Sequence, residues 1–239
     1  MRGLIQAFQL LTRLPMPTLG GTGDPARAAV WFPLVGLVVG AIVALPLFLV
    51  PDPRLAALLA LMLWVGVTGG LHLDGLSDLA DALGAAHRDR ERFLAVLADP
   101  HLGSFGAITL ILQLIAKFVL LWLLAESETA WLAVPLIAAW ARLGAWVWGQ
   151  TLPPLKPGLG ARFAGQGGYG LTLLWGLALL AASLAWAPAL MLAPLALWAW
   201  WRFLRQRLGG MNGDCLGAGI EVVEVALLVV LALASVKGV

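Results

Sequence analysis

Charge is scarce in this chain of 239 residues, of which only 12% are Asp, Glu, Lys or Arg. Soluble domains carry about 25% charged residues, so this chain has too few polar groups to cover a surface that faces water. Apolar residues make up 61% of the sequence. We therefore expect membrane lipid to be the solvent around most of the protein.

Cysteine is nearly absent, and neither sign of charge is in strong excess. Cys215 is the single cysteine, which excludes an internal disulfide and a metal site built from several cysteines. The formal net charge is +2 at pH 7. This value is too small to indicate a nucleic-acid partner, and none is predicted.

Seven apolar stretches are long enough, or nearly so, to cross a bilayer as helices. A membrane helix needs about 20 mainly apolar residues. The fifth and sixth stretches are short and are predicted to form a hairpin that is broken near Pro188. The predicted spans are residues 30–50, 55–73, 105–125, 130–148, 169–184, 187–201 and 222–236. The sequence thus predicts an all-α, polytopic membrane protein with about seven transmembrane helices in one integral-membrane domain, residues 1–239.

The basic residues are distributed unevenly over the predicted loops. If the N-terminus is cytoplasmic, the outer segments hold Arg54 and Lys237 alone. The inner segments hold Arg2, Arg13, Arg27, Arg88, Arg90, Arg92, Lys156, Arg162, Arg202, Arg205 and Arg207. Because cytoplasmic loops are enriched in Lys and Arg, this bias predicts a cytoplasmic N-terminus.

Three aspartates follow the second predicted span at a helical spacing. Asp74, Asp78 and Asp81 would fall within about 60° of one another on a helix. Three like charges on one stripe repel each other, and a divalent cation would remove that repulsion. Carboxylate oxygens suit a hard ion such as Mg²⁺. We predict a Mg²⁺ site here, because leucines and alanines fill the gaps where a solvated helix end, the alternative, would carry lysines.

A second acidic stretch lies near the C-terminus. Asp214 and Glu221 share a helix face, and Glu224 lies about 60° around the helix from Glu221. Carboxylates that border the apolar core are costly and usually functional. Glycines in this stretch allow close approach of a phosphate or of another backbone, so a glycine-rich helix-packing seam is the alternative. Both acidic stretches fall on the predicted cytoplasmic side.

Four other polar positions are candidate substrate contacts. Lys117 and Arg142 lie inside predicted spans, where they would neutralise carboxylates, hold a phosphate or extend to the interface. His72 flanks the aspartates and would serve as a ligand, base or hydrogen-bonding support, or be structural. The loop that starts at Asp99 would present backbone amides to an anion, or be a simple turn before a span.

The motifs taken together resemble the cobalamin synthase family, also called adenosylcobinamide-GDP ribazoletransferase. The matching stretches are residues 11–15 (LTRLP), 33–36 (PLVG), 71–84 (LHLDGLSDLADALG), 89–92 (DRER) and 213–218 (GDCLGA), followed by Glu221 and Glu224. They occur in the family's order and cover nearly the whole chain, although residues 150–205 contribute little. His101 departs from the pattern, since the family usually has an arginine there.

The resemblance implies a reaction at the prokaryotic cytoplasmic (inner) membrane, with the active site facing the cytoplasm. Adenosylcobinamide-GDP and α-ribazole, or its 5′-phosphate, would give adenosylcobalamin, or its 5′-phosphate, and GMP. Mg²⁺ held by Asp74, Asp78 and Asp81 would bridge the pyrophosphate oxygens. Asp214, with Glu221 and Glu224, would complete this site or hold a second ion, and one of the carboxylates would accept the hydroxyl proton. The expected substrate contacts are His72, Arg88, Arg90, Asp99, His101, Lys117 and Arg142.

Two other classes of membrane protein share some of these features. A CDP-alcohol phosphotransferase also uses embedded aspartates and Mg²⁺, but its signature Asp-Gly-x-x-Ala-Arg does not occur around Asp74 or elsewhere in the chain. An ion-coupled transporter also carries intramembrane acids. Transporters usually place these acids near the bilayer midplane, whereas the acids of this chain are predicted to cluster toward one face.

Overall fold

The protein is a bundle of α-helices, as its sequence predicts. The computed structural model describes residues 1–17, 25–86, 89–127, 130–158, 160–163 and 168–236. The helices in this part of the chain are α1 (Arg2–Leu11), α2 (Pro25–Ala29), α3 (Phe32–Leu49), α4 (Pro53–Thr68), α5 (Leu71–Ala86), α6 (Arg90–Val96), α7 (Ser104–Ala125), α8 (Val134–Thr151), α9 (Tyr169–Trp186), α10 (Ala193–Phe203) and α11 (Gly213–Val236). Short 3-10 turns occupy Ala130–Ala133, Gly160–Phe163 and Pro188–Leu192, and a π-helical turn occupies Leu204–Leu208.

Helix α8 forms the centre of the bundle. Most of its side chains are buried, among them Trp140, Trp146 and Trp148. Helix α3 packs closely against it because two glycines face α8: a Cβ atom on Gly36 would lie 2.5 Å from the carbonyl oxygen of Ala138, and one on Gly40 would collide with Pro135. Small residues at such a contact let two membrane helices approach at backbone distance.

The outer helices present apolar side chains outward. On α7 the exposed residues include Ile108, Ile111, Leu112 and Ile115, and only 11% of the apolar window of α9 is buried inside the protein. Large exposed apolar faces of this kind fit contact with lipid rather than with water. Several long apolar helices and these outward faces make the chain a polytopic membrane protein.

The predicted count of seven spans is not confirmed. Five of the described helices are long and apolar enough to cross a membrane, or six if the bent pair α4 and α5 counts as one span. Gly69 and Gly70 adopt φ values of +63° and +70°, which end α4 and turn α5 away by 85°. Helix α10, in the predicted span 187–201, has only 11 residues because a 3-10 turn precedes it.

The segments that carry the acidic motifs meet at one end of the bundle. Asp81 on α5 accepts hydrogen bonds from the start of α7, and the Lys156 side chain donates to the Leu97 carbonyl. The loop after α8 pairs with the chain just before α11 through Leu155 N–H to the Met211 carbonyl at 2.8 Å and Met211 N–H to the Pro153 carbonyl at 2.9 Å. This short bridge fixes the position of Lys156 relative to α11.

Candidate active site

Asp74, Asp78 and Asp214 form the acidic site at this end of the bundle. Helix α5 carries Asp74, which is exposed, and Asp78, which is half-buried. It packs against the first turn of α11 at Gly75, where a Cβ atom would lie 2.9 Å from the Asp214 carbonyl oxygen. The absence of a side chain at Gly75 therefore lets the two acidic stretches come together, as the sequence predicts. The Asp78 carboxylate interacts electrostatically with those of Asp74 and Asp214, and also with that of Asp81.

The Asp214 carboxylate is held in place by two neighbours. Asn212 Nδ2 donates to Asp214 Oδ2 at 2.6 Å, and Lys156 Nζ lies 3.8 Å from the same oxygen. Asn212 is oriented in turn, because its Oδ1 accepts the Cys215 backbone N–H at 3.0 Å. Among the described residues, Lys156 is the cation that interacts with Asp78 and Asp214, so the carboxylates of this part of the chain keep an excess of negative charge.

This excess of negative charge is the feature that fits a divalent cation. Among the residues that the structure describes, no group of three or more His, Cys, Asp or Glu side chains is drawn together tightly enough to hold a metal. Mg²⁺ does not require such a cage, because it is usually bound by one or two carboxylates together with waters and substrate phosphates. The donors on Asp74, Asp78 and Asp214 are carboxylate oxygens with partial access to solvent, and their chemistry fits Mg²⁺.

Asp81 lies near Asp78 but is already hydrogen-bonded, so its role as a metal ligand stays a prediction. Its two oxygens accept the backbone N–H groups of Gly103 and Gly106, each at 2.8 Å. The first N–H groups of a helix have no intrahelical partner, so a buried carboxylate at the start of α7 satisfies them. The side chain is only 8% exposed. We therefore assign Asp81 the structural role of connecting α5 to α7.

The Asp81 contact predicts a marked effect of one small substitution. A Cβ atom on Gly106 would collide with Asp81 Oδ2 and Ser77 Oγ. We expect Gly106→Ala to lower the free energy of unfolding by about 1–3 kcal/mol, since it displaces a buried hydrogen-bonded carboxylate. Gly176→Ala in α9 is the matched control, because no atom lies within 4 Å of the added methyl group. Unfolding curves in detergent measure both, and equal stability of the two variants would contradict this role.

Glu221 and Glu224 lie deeper in the bundle and are already neutralised. Lys117 Nζ lies 2.7 Å from Glu221 Oε2 and 2.5 Å from Glu224 Oε2, and Arg142 pairs with the other oxygen of Glu224. All four side chains are buried. Gln113 Nε2 also donates to Glu221 Oε2 at 2.8 Å. We name Lys117, Arg142, Glu221 and Glu224 the buried ion cluster.

The buried ion cluster bears on two predictions. Glu221 and Glu224 pair with Lys117 and Arg142 in the interior, so the metal role of the two acids and the substrate role of the two cations stay predictions. Each of these charges has a partner within the protein interior, where an unpaired charge would be very costly. The alternative, that Lys117 and Arg142 neutralise carboxylates, agrees with the structure.

His72 belongs to this interior region and not to the acidic site. Its ring is buried, and neither ring nitrogen has a hydrogen-bond partner among the described residues. It interacts electrostatically with Glu224 and Arg142. Both the predicted substrate contact and the alternative of a structural histidine stay predictions, because the buried ring has no hydrogen-bond partner in the described part of the chain that would indicate either role.

The remaining predicted contacts that the structure describes are Asp99 and His101 in the loop before α7 and Arg90 at the start of α6. Asp99 and His101 are exposed, and the His101 ring is bonded to the Asp99 carboxylate at 2.6 Å. That hydrogen bond holds the pKa of Asp99 below its usual value. Arg90 is exposed and donates to the Leu208 carbonyl at 3.5 Å. Arg88 lies outside the described residues.

Two polar residues of this region are not functional candidates from the sequence alone. The sequence presents Lys156 as a basic loop residue and Gln113 as part of an apolar span. A lysine in a loop gives no local sign that it will face an acid 58 positions later, because the contact depends on the bridge between residues 153–155 and Met211. Gln113 was detectable in principle, since an amide inside a membrane helix needs a hydrogen-bond partner.

Comparisons with known proteins agree with this arrangement of motifs. The family model described as CobS: Cobalamin-5-phosphate synthase matches residues 3–232. Proteins named adenosylcobinamide-GDP ribazoletransferase are similar over nearly their full lengths. The protein from Thiobacillus denitrificans is 54% identical and the match covers 100% of this chain and 99% of the relative. The one from Laribacter hongkongensis is 59% identical, with 98% of each chain covered. No solved structure matches this chain.

Proposed function

This chain belongs to the cobalamin-5-phosphate synthase family, whose members are transferases of phosphate-containing groups, and from that premise we propose that it is a Mg²⁺-dependent adenosylcobinamide-GDP ribazoletransferase. The substrates are adenosylcobinamide-GDP and α-ribazole or its 5′-phosphate. The products are adenosylcobalamin or its 5′-phosphate, and GMP. The protein works in the prokaryotic inner membrane with its acidic site facing the cytoplasm.

The observation that carries the proposal is the approach of Asp214 on α11 to Asp78 on α5 at one end of the bundle. Phosphoryl transfer requires positioning and charge neutralisation more than covalent chemistry by the protein. The carboxylates beside Lys156 would hold a divalent cation, whose positive charge would favour binding of a pyrophosphate. The position at the end of the bundle gives water-soluble substrates access.

The bond changes of the reaction are few. The ribose hydroxyl oxygen of α-ribazole forms a bond to the phosphorus attached to the corrinoid side chain. The bond between this phosphorus and the bridging oxygen breaks, and GMP leaves with that oxygen. The hydroxyl proton passes to a carboxylate of the site. No electron donor or acceptor is needed.

The residues of the site have separate tasks in this reaction. Asp74, Asp78 and Asp214 would hold Mg²⁺, which neutralises the pyrophosphate oxygens and the charge that develops on GMP. Lys156 contacts Asp214 and adds a positive charge near the phosphates. Asn212 orients Asp214, and Asp81 fixes α5 against α7. The buried ion cluster joins α7, α8 and α11 and thereby supports the first turn of α11.

The test is release of GMP from adenosylcobinamide-GDP by the purified protein in detergent with Mg²⁺. We expect GMP and the joined corrinoid product to appear together, and only after α-ribazole is added. Chromatography with mass detection measures both products. Absence of GMP with both substrates present would contradict the function, and a transporter would give that result. Release of CMP from a CDP-alcohol instead would identify the other phosphotransferase class.

A further inference from the structure

A cavity of about 570 Å³ opens beside the acidic site. The C-terminal part of α5, helix α6 and the π-helical turn Leu204–Leu208 surround it. Ligand pockets are usually about 300–1,000 Å³ in volume, so this cavity has the size of a small-molecule site. The proposed reaction does not by itself identify the molecule that this cavity binds.

The cavity has two arginines in its wall. Arg90 comes from α6, and Arg207 comes from the π-helical turn. The Arg90 side chain is tied to that turn by its bond to the Leu208 carbonyl. Two guanidinium groups in one cavity suit a phosphate or pyrophosphate, which guanidinium binds through paired hydrogen bonds.

The rest of the wall combines apolar surface with one carboxylate. Phe93 and Leu155 supply apolar surface for a planar base, and Asp89 supplies the carboxylate. Asp89 Oδ1 accepts the backbone N–H groups of Glu91 and Arg92, and Oδ2 takes part in neither bond. A carboxylate accepts hydrogen bonds and donates none when ionised. Guanine offers it two adjacent donors, N1–H and the N2 amino group, whereas adenine offers no such pair.

The cavity adjoins the proposed site of phosphoryl transfer. Leu155 lines the cavity, and the next residue, Lys156, contacts Asp214. Helix α5 connects the two regions as well, since Leu83 and Ala86 line the cavity while Asp78 lies five to eight residues earlier. That interval is about 7–12 Å along the helix axis. A nucleotide in the cavity would therefore direct its phosphates toward Lys156 and the acidic site.

We propose that this cavity binds the guanylate half of the nucleotide substrate, with Arg90 and Arg207 on the phosphates and Asp89 on the guanine edge. This inference rests on the proposed function. It assigns the cavity to the leaving group and leaves α-ribazole to approach from elsewhere.

The variant Arg207→Gln tests the phosphate contact. We expect it to raise KM for adenosylcobinamide-GDP by about 10- to 100-fold, because a hydrogen-bonded charge is lost, and to leave KM for α-ribazole unchanged. Arg205→Gln is the matched control, since Arg205 lies in the same turn but stacks over Trp201. A rise in KM for α-ribazole instead, or no change in either KM, would overturn the assignment.

The variant Asp89→Asn tests the base contact, and asparagine preserves the helix cap that Asp89 provides. Equilibrium dialysis with GMP and AMP gives a readout that does not depend on turnover. The wild type should prefer GMP, and the variant should lose that preference, whereas Asp52→Asn, at the cap of α4, should keep it. If the wild type binds GMP and AMP equally, the inference fails even when turnover is present. If GMP is preferred but turnover is absent, the proposed function fails instead.

Discussion

Replacing Asp78 with asparagine is expected to lower kcat for GMP release by about 100- to 10,000-fold. The change removes one negative charge and keeps the shape of the side chain. The Asp78 carboxylate interacts electrostatically with those of both Asp74 and Asp214, so its charge contributes to the negative charge of the site. Losing it weakens the attraction for Mg²⁺ and removes one candidate acceptor for the hydroxyl proton. Initial rates of GMP release over a range of Mg²⁺ concentrations measure the effect.

The Mg²⁺ dependence distinguishes the two roles of Asp78. If it is a ligand, high Mg²⁺ should restore part of the rate of Asp78→Asn. If it also accepts the proton, kcat should stay low at saturating Mg²⁺. Glu126→Gln, an exposed acid after α7 at the other end of the bundle, is the control and should leave turnover unchanged. Turnover of Asp78→Asn equal to that of the wild type at both limiting and saturating Mg²⁺ would contradict both roles.

Replacing Glu224 with glutamine is expected to lower the free energy of unfolding by about 3–5 kcal/mol. Glu224 is fully buried and neutralises Arg142 on one oxygen and shares Lys117 with Glu221 on the other. Removing its charge leaves a buried cation without compensation, which costs more than the ion pair itself contributes. Unfolding by a denaturing detergent, followed by tryptophan fluorescence, measures the change.

A double substitution separates the charge effect from loss of packing. Glu224→Leu combined with Arg142→Met removes both charges and keeps apolar volume. The double variant should therefore lose much less unfolding free energy than the two single variants lose together. Lys117 keeps Glu221 as its partner in this variant. If Glu224→Gln instead unfolds like the wild type but loses turnover and Mg²⁺ affinity, Glu224 is a metal ligand and not a structural member of the buried ion cluster.

The acidic helix shows what the spacing of residues can predict. The separation of Asp74, Asp78 and Asp81 predicts a helix with the three acids on one stripe, and α5 contains all three. The spacing does not show which carboxylate oxygens already accept hydrogen bonds from the backbone. Asp81 is used by the backbone of Gly103 and Gly106, residues that are distant in sequence and are positioned only by the packing of α7 on α5.

The second acidic stretch shows a different limit. Asp214 and Glu221 share a helix face, as the sequence predicts, but seven residues also separate them by about 10 Å along the axis of α11. Asp214 therefore lies at the end of the bundle while Glu221 lies in the interior. The sequence predicts the angular position of these two side chains around α11, whereas their depth in the bundle determines what each of them contacts. The cations inside neighbouring spans, Lys117 and Arg142, were the signal for that interior position, because buried acids need partners.

The count of membrane spans depended on turns that apolar composition does not reveal. Residues 55–73 are apolar enough to look like one straight span, yet the chain bends after Thr68. The adjacent glycines at 69 and 70 both adopt positive φ, which few other residues tolerate. A pair of glycines directly before an acidic stretch was therefore the local sign of a sharp turn that redirects α5.

Binding of Mn²⁺, a paramagnetic substitute for Mg²⁺, tests most directly whether α5 and α11 build one cation site. Electron paramagnetic resonance of the purified protein in detergent gives the bound fraction without any need for turnover. We expect Asp78→Asn and Asp214→Asn each to weaken Mn²⁺ binding, whereas Glu126→Gln should leave it unchanged. Unchanged Mn²⁺ affinity in both aspartate variants would contradict a shared cation site on α5 and α11.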